Sequence, residues 1–229
     1  MTDSLVKFIS ERSLRFAFAV AVSGSPVFGQ GESPVDRAAE SIATDWIRML
    51  DDEDAEVRAR GVAGLSESGA FDCLSALSKR LMDDVPEIRR QSEHAMWQVW
   101  FRSSHERAEA LLRQSMALIG THQFDEATKL LEAALEIDPD FAEAYNQRAI
   151  IHFFRRRFAD SIKDCQETIK RNPYHFGAMS GMGQCYQRLQ NADEAIKAYE
   201  RALRINPNME GVRRTLIQLL QAEGKAIQA

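Results

Sequence analysis

LLEAALEIDPDFAEAYNQRA, residues 130–149, contains the pattern that decides the fold. A helical spacing of apolar and small residues runs to Ile137, and Asp138-Pro139 then stops it, because proline cannot continue a helix and disfavours helical backbone in the residue before it. The same punctuation returns at Asn172-Pro173 and Asn206-Pro207, so the three prolines stand 34 residues apart. Aligned on them, the chain divides into units 108–141, 142–175 and 176–209. Small residues recur at Ala127, Ser161 and Ala195, at Ala134, Thr168 and Ala202, and at Ser115, Ala149 and Gly183. Small side chains at fixed places let the two helices of a hairpin, and successive hairpins, approach closely. Large ones fill the spaces between: Leu111, Tyr145 and Met179; Leu118, His152 and Tyr186; Leu131, Cys165 and Tyr199.

With EAIKAYERALRINPNMEG, residues 194–211, these units resemble the tetratricopeptide repeat. The resemblance implies an all-α, right-handed α-solenoid of helical hairpins whose first helices line a concave face. Leu111 and Met179 depart from it where the family often has Trp, and Gln114 and Arg148 where it favours Leu. After the third unit, EGVRRTLIQLLQAEG, residues 210–224, reads as an amphipathic helix with Val212, Leu216, Leu219 and Leu220 on one face. A stack of hairpins leaves its last apolar face open, so this helix should close it and end at Gly224.

A different period precedes these units. LDDEDAEVRARGVAGL (50–65) and LMDDVPEIRRQSEHAM (81–96) repeat an acidic run followed by Glu-aliphatic-Arg with a shift of 31, over residues 41–102. The acids should cap second helices and Pro86 should open one. These residues resemble a short HEAT-like repeat, which implies a helical pair over 41–104. Met96, Trp97, Trp100 and Phe101, crowded between the two repeat types, read as core residues that weld them together.

Composition narrows the function. The 229 residues carry 29 Lys and Arg against 34 Asp and Glu, and a net charge of −5 supplies no field for a phosphate backbone, so nucleic-acid partners are disfavoured. The three cysteines, Cys73, Cys165 and Cys185, are too few and too scattered for a disulfide framework or a zinc site, although Cys165 and Cys185 fall at inward positions of adjacent hairpins, where buried thiols or a disulfide would both fit. Gly177, Gly181 and Gly183 neither follow a strand nor precede a lysine, which excludes a phosphate loop, and the five histidines lack metal-ligand spacing. No cofactor and no catalytic residue is expected. Residues 1–29 have the order of a secretory signal, with Lys7, Arg12 and Arg15, an uncharged run from Phe16 to Val22, and small residues before a cleavage point near Gly29. Export is therefore expected, with a cytoplasmic chain as the alternative; residues 30–40 read as a linker. The run is too short to span a bilayer.

What remains is the concave face. By register its lining comprises Glu109, Leu112, Arg113 and Met116, then Glu143, Asn146, Gln147, Ile150 and Phe153, then Gly177, Ser180, Gly181, Gln184, Gln187 and Arg188. The amides should read a peptide backbone, the apolar residues should give contact area, and Gly177 and Gly181 should leave room for a bulky partner side chain. The family's chaperone-binding members grip a C-terminal carboxylate with Lys, Asn, Asn, Lys and Arg; the matching positions here hold Leu112, Met116, Gln147, Gly177 and Gly181, so that clamp is absent. Arg155, Arg156 and Arg157 form a basic turn, read as solvated or as a contact for an anionic partner or membrane headgroup. The expected function is a non-enzymatic adaptor for a protein or peptide. The alternatives are an enzyme assistant or chromophore-lyase-like role for the HEAT-like pair and, less favoured, a helical-repeat RNA binder.

Overall fold

The computed structural model describes residues 43–68 and 71–224. The expected signal, residues 1–29, and the linker 30–40 lie outside the described residues. The chain divides into two compact units, residues 1–80 with 85–99 and residues 81–84 with 100–229. Every described regular segment is helical.

In the first unit, α1 (residues 43–49) is followed by α2 (Ala55–Ser68), a single 3₁₀ turn leading into α3 (Leu74–Arg80), and α4 (Pro86–Trp100), of which all but the last residue belongs here. Asp54 sits just before α2 and its Oδ1 accepts the Glu56 N–H at 2.8 Å, the capping expected of the acidic run. Pro86 is the first residue of α4. The arginine of the Glu-aliphatic-Arg motif has a use that the sequence did not disclose. Arg58 is buried and its Nη1 donates to the carbonyls of Asp52 and Glu53 at 3.0 Å each, holding the loop between α1 and α2. Arg80 does the same for the Leu50 carbonyl at 2.9 Å. A Cβ on Gly61 would come within 2.8 Å of the Trp46 carbonyl, and one on Gly64 would collide with the Trp46 ring, so these glycines let α1 lie on α2.

The second unit holds α5 (Glu106–Gly120), α6 (Phe124–Ile137), α7 (Ala142–Phe154), α8 (Phe158–Arg171), α9 (Phe176–Arg188), α10 (Ala192–Ile205) and α11 (Glu210–Ala222). Three antiparallel hairpins, α5–α6, α7–α8 and α9–α10, are closed by α11. The Asp/Asn-Pro punctuation behaves identically in each. Asp138, Asn172 and Asn206 are extended (φ −132°, −127° and −125°), and their N–H groups end the preceding helix on Ala134, Thr168 and Ala202. Each side-chain oxygen then accepts the N–H two residues on, from Asp140, Tyr174 and Asn208, at 3.0 to 3.1 Å.

The turns inside the hairpins are equally regular: His122, Arg156 and Gln190, also 34 apart, take φ near +60°. The small residues predicted for close approach are all buried. At Gly183 the need is strict, because a Cβ would stand 2.7 Å from the Tyr199 ring. Val212 and Leu220 of α11 are buried, and Leu216 and Leu219 pack against the Ala195–Tyr199 core, as a closing helix should. Gly224, at φ +63°, follows its end. Among the first helices α5 touches α7 and α7 touches α9, which brings the three first helices side by side along one face of the stack.

Candidate functional site

The inner face is built from α5, α7 and α9, and the predicted residues fall into two groups on it. The middle is polar and closed. Glu143 is fully buried, and its Oε1 accepts from Asn146 Nδ2 at 3.0 Å and Gln147 Nε2 at 2.6 Å, three and four residues further along the same helix. Its Oε2 lies 2.9 Å from Nε2 of His175, which is also fully buried. Because Nδ1 of His175 accepts the Ala178 N–H at 3.0 Å at the start of α9, the ring proton sits on Nε2 and is donated to Glu143. The ring of Trp100, a member of this unit, stacks on His175 at 4.0 Å and meets Phe176 edge-on at 4.9 Å. Asn146 and Gln147, expected to read a partner's backbone, are buried and spend their amide donors on Glu143. A carboxylate inside a protein needs such donors, and the two amides are the nearest available.

The second group gathers at the hairpin-turn end. Phe153 packs edge-on against Phe158 with ring centroids 5.6 Å apart, and the exposed Arg188 lies over Phe153 at 5.9 Å. Ile150 and Gln184 are half-buried, and so is Gly177, which lies at the opposite end of α9, away from the turn. Gln187 Oε1 accepts a hydrogen bond from the Tyr199 hydroxyl at 2.5 Å, and burial pushes that phenol's pKa up. On α5, Arg113 is exposed and pairs with Glu109 at 3.2 Å, while Met116 packs into the core of the first hairpin. A Cβ at Gly181 would meet only Cys165 Sγ of the neighbouring α8, at an ordinary contact distance of 3.8 Å.

Sequence reading missed an ion pair inside the second hairpin. Arg148, where the family favours Leu, grips Asp164 of α8 through two hydrogen bonds of 2.8 Å each. The hydrogen bonds to Asp164 raise the Arg148 pKa. His152 stands 3.6 Å from the same carboxylate, yet its burial outweighs that attraction and lowers its pKa. All three cysteines are buried free thiols; desolvation takes Cys73 up to about 12 and raises Cys165 and Cys185 too, so none is poised as a nucleophile. Among the described residues there is no cluster able to hold a metal and no helix long and apolar enough to cross a membrane.

Comparison with known proteins places this geometry. Models of the tetratricopeptide repeat match residues 112–174 and 178–209. A TPR repeat-containing protein of Rhizobium etli is 36% identical over 81 residues, 35% of this chain and 40% of that one. The small glutamine-rich tetratricopeptide repeat-containing protein of Dictyostelium discoideum is 33% identical over 109 residues, 48% of this chain and 33% of that one. The chain thus spans less than half the length of these relatives. The solved first TPR of Spaghetti (RPAP3), bound to the HSP90 peptide SRMEEVD, matches 52% of this chain and 95% of its own at 27% identity and a TM-score of 0.50. With three hairpins in one 34-residue register and both family models falling on them, residues 112–174 and 178–209 are tetratricopeptide repeats.

Proposed function

We propose that this protein is a non-enzymatic adaptor that holds a peptide or protein partner against the inner faces of α5, α7 and α9. The observation that carries the reading is the inner face itself: three first helices brought side by side, with Phe153, Gln184 and Arg188 presented from them at the turn end. Extended inner surfaces of this kind are what helical solenoids use to bind polypeptides. The structural relative whose repeat is bound to an HSP90 peptide supports the same use here. The buried ionisable groups have structural partners, Arg148 with Asp164 and Glu143 with His175, in keeping with a binding role.

A partner enriched from cells by the intact chain should be lost by Gly181→Arg when that variant melts at the same temperature. Retention at equal affinity would remove the inner face as the binding site. The HEAT-like pair would serve as a second contact surface or as an N-terminal cap. Residues 1–29 would route the chain out of the cytoplasm, with cleavage near Gly29. Sequencing the N-terminus of the purified mature protein tests this, and an intact Met1 would contradict it.

A further inference from the structure

The charge of the second unit is uneven. Residues 108–141 hold seven acids against two bases, whereas residues 142–175 hold four acids against seven bases. The surplus is concentrated at one turn. Arg155 is already paired with Asp125 at 2.5 Å, but Arg156 and Arg157 are exposed and have no carboxylate within ion-pair reach among the described residues. Arg157 immediately precedes Phe158, Phe158 packs on Phe153, and the exposed Arg188 lies over Phe153. Leu189, next along, is 49% exposed. Arg188 over Phe153 and Arg157 next to Phe158 in the chain therefore bracket an aromatic pair, with Arg156 in the same turn and the exposed Leu189 following Arg188.

From this arrangement we infer that the α7–α8 turn and the end of α9 dock a short internal acidic segment of a polypeptide, with an apolar residue set among its acids. The inference rests on the adaptor reading and gives that partner its chemistry. Arginine forks take carboxylates in pairs, and the aromatic faces supply area for the apolar residue. An acidic peptide fits better than an anionic membrane or a nucleic acid. Those polyanions extend well beyond the screening length of about 8 Å at physiological salt, and they would meet the acidic first hairpin next to the turn. No terminal carboxylate is required, because the mid-groove positions Leu112, Met116, Gln147, Gly177 and Gly181 carry no charge to hold one.

The test uses the full chain and a fluorescein-labelled peptide in which Leu and Phe are interspersed among Asp and Glu, followed by anisotropy. Saturable binding is expected, equal within about twofold for amidated and free C-termini, and weakening about tenfold between roughly 50 and 300 mM salt. Arg156→Glu combined with Arg157→Glu, and separately Arg188→Glu, should each weaken it about tenfold or more without lowering the melting temperature. Absence of binding, affinity unchanged in the folded charge-reversal variants, or dependence on a free C-terminus would overturn the inference. So would tighter attachment to phosphatidylserine vesicles than to the peptide. Failure of this docking site and failure of the adaptor reading are separable. A cellular partner that Gly181→Arg loses but the charge-reversal variants keep refutes the turn and leaves the groove intact; a partner indifferent to all of these variants refutes both.

Discussion

The first and second hairpins share a frame and differ in what they put inside it. Position by position, Glu109, Leu112, Gln114 and Leu130 of the first correspond to Glu143, Asn146, Arg148 and Asp164 of the second. In the first hairpin the glutamate is half-buried, pairing with the exposed Arg113 and accepting the Ser103 N–H at 2.9 Å, and Leu112 fills the buried place. In the second, the equivalent glutamate is fully buried among two amides and a histidine, and an arginine–aspartate pair joins the two helices. The backbone accommodates both, since the helix-ending geometry at Asp138 and Asn172 is the same. The small-residue positions and the proline punctuation therefore set the hairpin, and what fills the other positions is free to become polar where a specific arrangement is wanted.

That contrast can be broken by substitution. Glu143→Ala strands two amides and an imidazole N–H, and should cost about 3 to 5 kcal/mol, against about 1 kcal/mol for Glu109→Ala; denaturant titration of both variants measures the gap. Equal losses would mean that the buried network is not what holds the second hairpin. Next in size, Asp164→Asn should cost about 3 kcal/mol by leaving the Arg148 guanidinium without its counter-charge. Importing the first hairpin's residues, Arg148→Gln with Asp164→Leu, should recover all but about 1 kcal/mol of it, because two apolar-compatible partners replace a half-desolvated pair. Failure to recover would show that the hairpins are not interchangeable at this layer.

Gly183→Ala should cost about 1 to 3 kcal/mol by forcing the Tyr199 ring aside, while Gly181→Ala, with 3.8 Å to Cys165, should fold with nearly unchanged stability. Differential scanning of the two variants separates a steric glycine from a permissive one. The smallest effect concerns pH. Burial lowers the His152 pKa below its ordinary 6.5, so the unfolded chain binds the proton more readily; the contribution is fully present above that value and declines as pH falls toward the folded pKa. His152→Gln should therefore lose less stability than the parent between neutral and mildly acidic pH. A steeper acid loss in the variant would reverse the assignment.

The frame was readable in the sequence because it rests on local rules. Pro139, Pro173 and Pro207 act on the residue before them, and small residues at Ala127, Ser161 and Ala195 announce close helices wherever the period places them. Gly183, Gly224 and the closing helix followed from the same register. The site was less legible. Glu143, Asn146 and Gln147 share one helix face by spacing alone, yet their closure depends on His175, 32 residues away from Glu143, whose ring orientation is fixed by the Ala178 N–H. No local pattern announces a contact of that range, and an isolated polar residue on an inner face reads as a ligand contact until its partner is found. Arg148 illustrates the same limit, since a departure from the family pattern gains its meaning only from Asp164 on the next helix.

The claim that the inner face is where a partner sits is tested most directly by photo-crosslinking in cells. One chain would carry a benzophenone amino acid in place of Gln184, on the inner face of α9, and a second would carry it in place of the exposed Lys163 of α8. The account predicts a discrete adduct from the first position and none from the second. Adducts from Lys163 alone, or equal yields from both, would contradict it.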